Sequence, residues 1–158
     1  MTITVCNRQR KVPVELAALQ DFAERAVKQV LKLRTTKANV LATLREVSVV
    51  LVSDRRIAEL HRRFINQPGP TDVITFQHGE IFVSTETARR QARSFATSFE
   101  RELRLYIAHG LLHLQGFDDK DAHAAAEMKR TQEKLVSTLL YRRSMTADAL
   151  SLQEGRAG

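Results

Sequence analysis

At 158 residues the chain is long enough for one compact domain with a sizeable core. No apolar run approaches a membrane span, and the N-terminus carries no signal-peptide pattern. A net charge of +7 and a pI of about 10.1 favour polyanionic partners, of which nucleic acid is the commonest in a cytoplasm. Cys6 is the only cysteine, which excludes an intrachain disulfide and fits a reducing, cytoplasmic setting.

Ile3 to Cys6 alternates into a short apolar strand, followed by a basic turn from Asn7 to Lys11. Pro13, tolerated in a first turn, opens a predicted helix to about Leu33. Leu16, Leu19, Ala23, Ala26, Val27, Val30 and Leu31 recur along it at helical spacing. Thr35 to Thr43 is a polar connection. Val47 to Val52 is β-branched and apolar almost throughout, which predicts a strand covered on both faces. Ser53 or Asp54 caps the next helix. Its apolar side carries Ile57, Leu60 and Phe64, with Arg55, Arg56, Arg62 and Arg63 elsewhere.

Pro68 and Pro70 around Gly69 break that helix. Asp72 to Phe76 and Glu80 to Ser84 then form a hairpin across Gln77-His78-Gly79. An Arg-rich helix from Thr85 to about Ala96 follows, with Ala88, Ala92 and Phe95 as its expected buried edge. Another helix starts at Glu100. Asp121 caps a last one, on which Ala125, Met128, Gln132, Leu135 and Leu139 follow the 3-4 spacing of a packing stripe. The expected fold is α+β: a small mixed four-stranded sheet packed with about five helices around a zincin-like metal cleft. Residues 1–143 are expected to form a single domain and residues 144–158 a loose polar tail.

The chemistry is concentrated in His109-Gly110-Leu111-Leu112-His113-Leu114-Gln115-Gly116-Phe117-Asp118-Asp119. Histidines four residues apart lie one turn above each other, so both imidazoles can reach a single ion. Gly116 marks a left-handed helix end, after which the chain can double back and carry Asp119 to the same ion. That is the ligand pattern of a catalytic zinc site, with three protein ligands and one open position. His123 is the rival third ligand. Metalloproteases of the H-E-x-x-H type have a glutamate base after the first histidine, and this chain has Gly110 there.

This stretch resembles the hallmark of the YbeY endoribonucleases, or ribosomal RNA maturation factors: H-G-x-L-H-L-x-G-F/Y-D-H. It matches at every defined position but the last, where the family has a third zinc-binding histidine and this chain has Asp119. Pro70-Thr71-Asp72-Val73-Ile74-Thr75-Phe76 is similar to the family's P-T-D-V-L-S-F. Gly79-Glu80-Ile81-Phe82-Val83-Ser84 is similar to its G-D-I-x-I-S, in the same order and spacing. The likeness covers the chain from about Val47 to Leu140.

The resemblance implies a metal held in a cleft, with one Zn2+ per chain on His109, His113 and Asp119. It also implies cutting of single-stranded RNA, with ribosomal RNA and the ribosome as partners. Three-ligand zinc lowers the pKa of a bound water from about 15.7 to roughly 7 and polarises a phosphoryl oxygen, which serves attack by water or by a ribose 2′-hydroxyl. The family's arginine ahead of P-T-D-V, implied to hold RNA, is replaced by Ile65. Arg62 and Arg63 on the preceding turn are the candidates to take over, with Thr71 and Asp72 on the cleft wall. Asp118 either orients a ligand histidine or caps the turn. A zinc peptidase and a non-catalytic RNA- or ribosome-binding protein with structural zinc are the competing functions.

Overall fold

A computed structural model describes residues 1–35, 37 and 39–156. The chain runs β1 (Thr2–Asn7), α1 (Leu16–Leu31), a short 3-10 turn (Leu41–Thr43), β2 (Glu46–Val52), α2 (Asp54–Ile65), β3 (Val73–Phe76), β4 (Glu80–Ser84), α3 (Thr85–Ser94), α4 (Phe99–Leu114) and α5 (Ala122–Arg156). The four strands form one mixed sheet in the order β1-β2-β4-β3. β1 and β4 both run parallel to β2, and β3 closes the edge antiparallel to β4. The expected α+β architecture is the one observed.

β2 is central because its side chains are apolar on both sides. Val47, Val49 and Leu51 join Ile3, Val5, Ile81 and Val83 in the main core, under α1, α4 and α5. The alternate residues Val50 and Val52 meet Ile57 and Leu60 of α2 in a smaller core on the opposite face. That is the period of two expected of a covered strand.

α4 is the buried spine of the larger layer. Ser98 caps it by accepting a hydrogen bond from Arg101 N at 3.1 Å. Leu103, Ile107, Leu111 and Leu112 are almost fully enclosed, each contributing roughly 1.5–3 kcal/mol of burial. Position 110 faces β4 so closely that a Cβ there would stand 2.7 Å from Ile81 Cγ2. Only glycine lets the helix approach the sheet this far.

Two sequence expectations are corrected. α1 starts at Leu16, not Pro13, because Gln9 holds the preceding chain in a turn. Its amide donates to Val12 O at 2.8 Å and accepts from Val12 N at 2.9 Å. Phe64 and Phe95, expected on buried helix edges, are 58% and 73% exposed. Phe95 lies past the last turn of α3, and Ala96 (φ 51°) then turns the chain aside. Phe64 instead meets Phe76 edge-on at 5.5 Å. α5 runs on to Arg156.

Candidate metal centre

Of the sixteen residues of α4, eleven are buried, and the exceptions are Phe99, Glu100, Arg101, His109 and His113. Beyond its first residues the helix therefore opens to solvent only at the two histidines. Their rings stand edge to face with centroids 4.6 Å apart, and their Nε2 atoms are 3.0 Å apart.

The helix ends in a Schellman motif. Phe117 N donates to Leu112 O at 3.0 Å and Gly116 N to His113 O at 3.1 Å, with Gly116 at φ 105°. The reversal brings the Asp119 carboxylate within 4.0 Å of His109 Nε2. One ligand atom from each of His109, His113 and Asp119 lies within 4.8 Å of the others. Among the described residues, Asp119 is the third member of the converging group. His123, the rival, is exposed in the first turn of α5 and is not one of the converging group.

The donor chemistry fits a metal. His109 Nδ1 donates to Gln132 Oε1 of α5 at 2.9 Å, which holds the ring with its Nε2 facing His113 Nε2. Burial, reinforced by the neighbouring His109, pushes the His113 imidazole below its ordinary range, while Asp119 and the Phe117 backbone oppose this. Ligands at ~2.0–2.1 Å in a tetrahedral array stand roughly 3.3 Å from one another. Spacings of 3.0 and 4.0 Å are reconciled with that by small side-chain rotations.

Gln132 was legible only as a packing position. The signal was there: it is the one polar residue in the stripe Ala125, Met128, Gln132, Leu135, Leu139. The orienting role considered for Asp118 falls to it instead. Asp118 pairs with Lys37 and accepts from Lys120 N at 3.2 Å, so it fastens the turn. Position 110, turned towards Ile81, has no room for a protease-type glutamate.

The expected RNA contacts are not part of the converging group. Arg62 and Arg63 are exposed in the last turn of α2, where Arg63 lies over the Phe64 ring at 5.4 Å. Ile65, at the family's arginine position, is 46% exposed. Thr71 donates to Asp72 Oδ1 at 3.3 Å, and the same oxygen accepts from Val73 N at 2.8 Å. Asp72 therefore does turn work at the start of β3, whatever else it faces.

Comparison with known proteins gives one answer. A family model described as endoribonuclease YbeY matches residues 4–140. The endoribonuclease YbeY of Parafrankia is 35% identical over 147 residues, covering 80% of this chain and 82% of that protein. Its counterpart in Frankia alni is 35% identical over 122 residues, covering 65% of this chain and 66% of the relative. Against the Frankia proteins the chain thus spans just under two thirds of the relative's length. The solution structure of TM1509 from Thermotoga maritima superposes with a TM-score of 0.62 at 30% identity, over 91% of this chain and 93% of that one.

Proposed function

The chain belongs to the YbeY endoribonuclease family, and from that premise we propose that it is a zinc-dependent endoribonuclease of the cytoplasm, specific for single-stranded RNA. Its place is ribosomal RNA maturation, at the small-subunit 3′ end, and ribosome quality control, with ribosomal RNA and the ribosome as partners. The observation that carries this reading is the convergence of two imidazoles and one carboxylate at the end of a buried helix.

His109, His113 and Asp119 would hold one zinc ion. Bound there, zinc supplies a Lewis acid for a phosphoryl oxygen and acidifies water towards neutral pH. The chain's own residues do the rest. Gln132 keeps His109 Nε2 facing the site. The lowered proton affinity of His113 keeps its ring neutral, hence able to ligate, at physiological pH. Arg62 and Arg63 present charge to the phosphate backbone beside the Phe64 ring, and Thr71 offers a hydroxyl near the start of β3. Gly110 argues against a peptidase, since the helix carries no carboxylate base after His109.

Metal analysis of the purified chain should find about one zinc, one ligand set holding one ion. Labelled single-stranded RNA should be cut, cutting should stop with chelator and return with zinc, and casein should stay intact. Casein hydrolysis without RNA cleavage would replace this reading with the peptidase.

A further inference from the structure

We infer that Gln20 is a strand surrogate: its carboxamide closes the outer edge of β1, which without it pairs with the same edge of a second copy of this chain. Among the described residues, β1 lies at one end of the sheet and pairs with β2 alone. Thr2 N and Arg8 N donate towards β2, to Arg45 O and Leu51 O, both at 2.9 Å. The N–H and C=O of one residue leave a strand on the same side, so the even-numbered residues face β2 and Ile3 and Val5 face outward. An uncovered edge of that kind is a template for another chain. Here a side chain of α1 covers it. Gln20 Oε1 accepts from Val5 N at 2.7 Å, and Gln20 Nε2 donates to Ile3 O at 2.8 Å. Nε2 also donates to Glu24 Oε1 at 2.9 Å, which orients the carboxamide for both backbone groups.

The edge itself chooses the occupant. A two-fold axis at Thr4 sets Ile3 opposite Val5 of the second copy, so Val5 N of each chain meets Ile3 O of the other in an antiparallel pair. Those are the two groups that Gln20 engages, so the pairing of two copies and the Gln20 contact exclude each other. Thr2 to Cys6 carries no charge and no proline, and Thr2, Ile3, Thr4 and Val5 are all β-branched. Nothing else in the strand therefore opposes such pairing. Space for it is present: a groove of about 560 Å³ lies between β1 and α1, lined by Met1, Thr2, Ile3, Thr4, Val27 and Leu31 among others. The opposite sheet edge is guarded in a related way. β3 is only four residues long, and its Val73 N is taken by Asp72 Oδ1 at 2.8 Å.

The test is sedimentation velocity of the purified full chain beside Gln20→Met, which keeps side-chain length and helix propensity but removes both hydrogen bonds to β1. Across a concentration series the parent's weight-average mass should hold. That of Gln20→Met should climb towards about twice the parent's, as a two-fold edge pair requires. Thr4 is exposed on the same strand, so Thr4→Lys adds a charge to the edge without touching the core. Combined with Gln20→Met it should bring the mass back to the parent's. In dilute, unassociated protein, hydrogen exchange at the Val5 amide should quicken about 2- to 10-fold in Gln20→Met, as loss of one hydrogen bond predicts, while amides bonded towards β2 keep their rates. A Gln20→Met chain that holds the parent's mass at every concentration overturns the proposal, and so does an unchanged Val5 exchange rate. Association that persists with Thr4→Lys also overturns it, since misfolding rather than the β1 edge would then be joining the copies.

Discussion

Two polar clusters in this molecule are built in opposite ways. Around Asp54 a carboxylate is surrounded by donors: Ser84 Oγ at 2.6 Å, Thr87 Oγ1 at 2.7 Å and Arg90 at 2.5 Å. Every member has a partner from its own chain. At the end of α4 the elements are two imidazoles and a carboxylate that converge on one another, with the two Nε2 atoms 3.0 Å apart and Asp119 4.0 Å from His109. The first cluster joins the start of α2 to that of α3 and is complete as it stands. The second is the kind of group that could hold an ion, because lone pairs aimed at one point are stabilised by a positive charge among them. The first cluster is closed across three elements, by donors of β4 and α3 on a carboxylate of α2, whereas the second turns ligand-type atoms of one helix end and its following turn towards one another.

The largest effect should come from breaking the second cluster. His109→Ala, His113→Ala and Asp119→Ala each leave two ligands, so zinc measured by metal analysis should fall to near zero and RNA cleavage with it. The metal-free forms should fold like the metal-free parent, since all three side chains reach solvent. Full zinc retention in both histidine variants would end the site assignment.

Next in size is Gln132→Leu, which leaves all three ligands but frees the His109 ring. Loss of such an orienting contact typically costs about 10- to 100-fold in metal affinity. Chelator competition should read that loss, and Gln132→Glu, which keeps an acceptor, should recover most of it. A Gln132→Leu chain that binds zinc like the parent would make Gln132 the packing residue its spacing implied.

The Asp54 cluster should respond in the other currency, stability. Asp54→Asn should cost about 1–3 kcal/mol, roughly 2–10 °C in Tm for a chain of this size, with zinc content unchanged. Burial pushes the Asp54 carboxyl up, but Arg90, Ser84 and Thr87 outweigh it and hold it below the usual carboxylate range. A carboxyl lowered by folding stabilises above its unfolded pKa and loses that contribution as pH falls through the folded one. The parent should therefore lose stability more steeply than Asp54→Asn below about pH 4. Parallel acid limbs would show that Asp54 carries no such linkage.

The sequence displayed what is local and hid what is long-range. The His109–His113 spacing, the Gly116 helix end and the doubly apolar β2 are each written within a few residues, and each appears in the fold. The Asp54 cluster spans thirty or more positions and the Gln132–His109 bond spans 23, so neither leaves a periodic trace. Exposure misled at helix ends, where Phe64 and Phe95 keep the spacing of a buried stripe after the neighbour that would cover them has run out.

The smallest expected effect separates the charge of the third ligand from its presence. Asp119→His substitutes the residue that the family pattern carries and preserves three donors. The position is exposed after the Gly116 turn, so a larger ring can be accommodated there without disturbing the core. Zinc should stay at about one per chain, as three donors remain, and the fold should be unaffected. What changes is one negative charge beside the ion. Its removal makes the site more electropositive, so ionisation that activates the nucleophile should occur at lower pH. The pH–rate profile for cleavage of single-stranded RNA should then rise earlier than the parent's, with a similar plateau, provided that this ionisation limits the rate. His123→Ala should change neither zinc nor profile. Zinc lost with His123→Ala but kept with Asp119→Ala would show that the turn after Gly116 delivers its ligand from α5 instead.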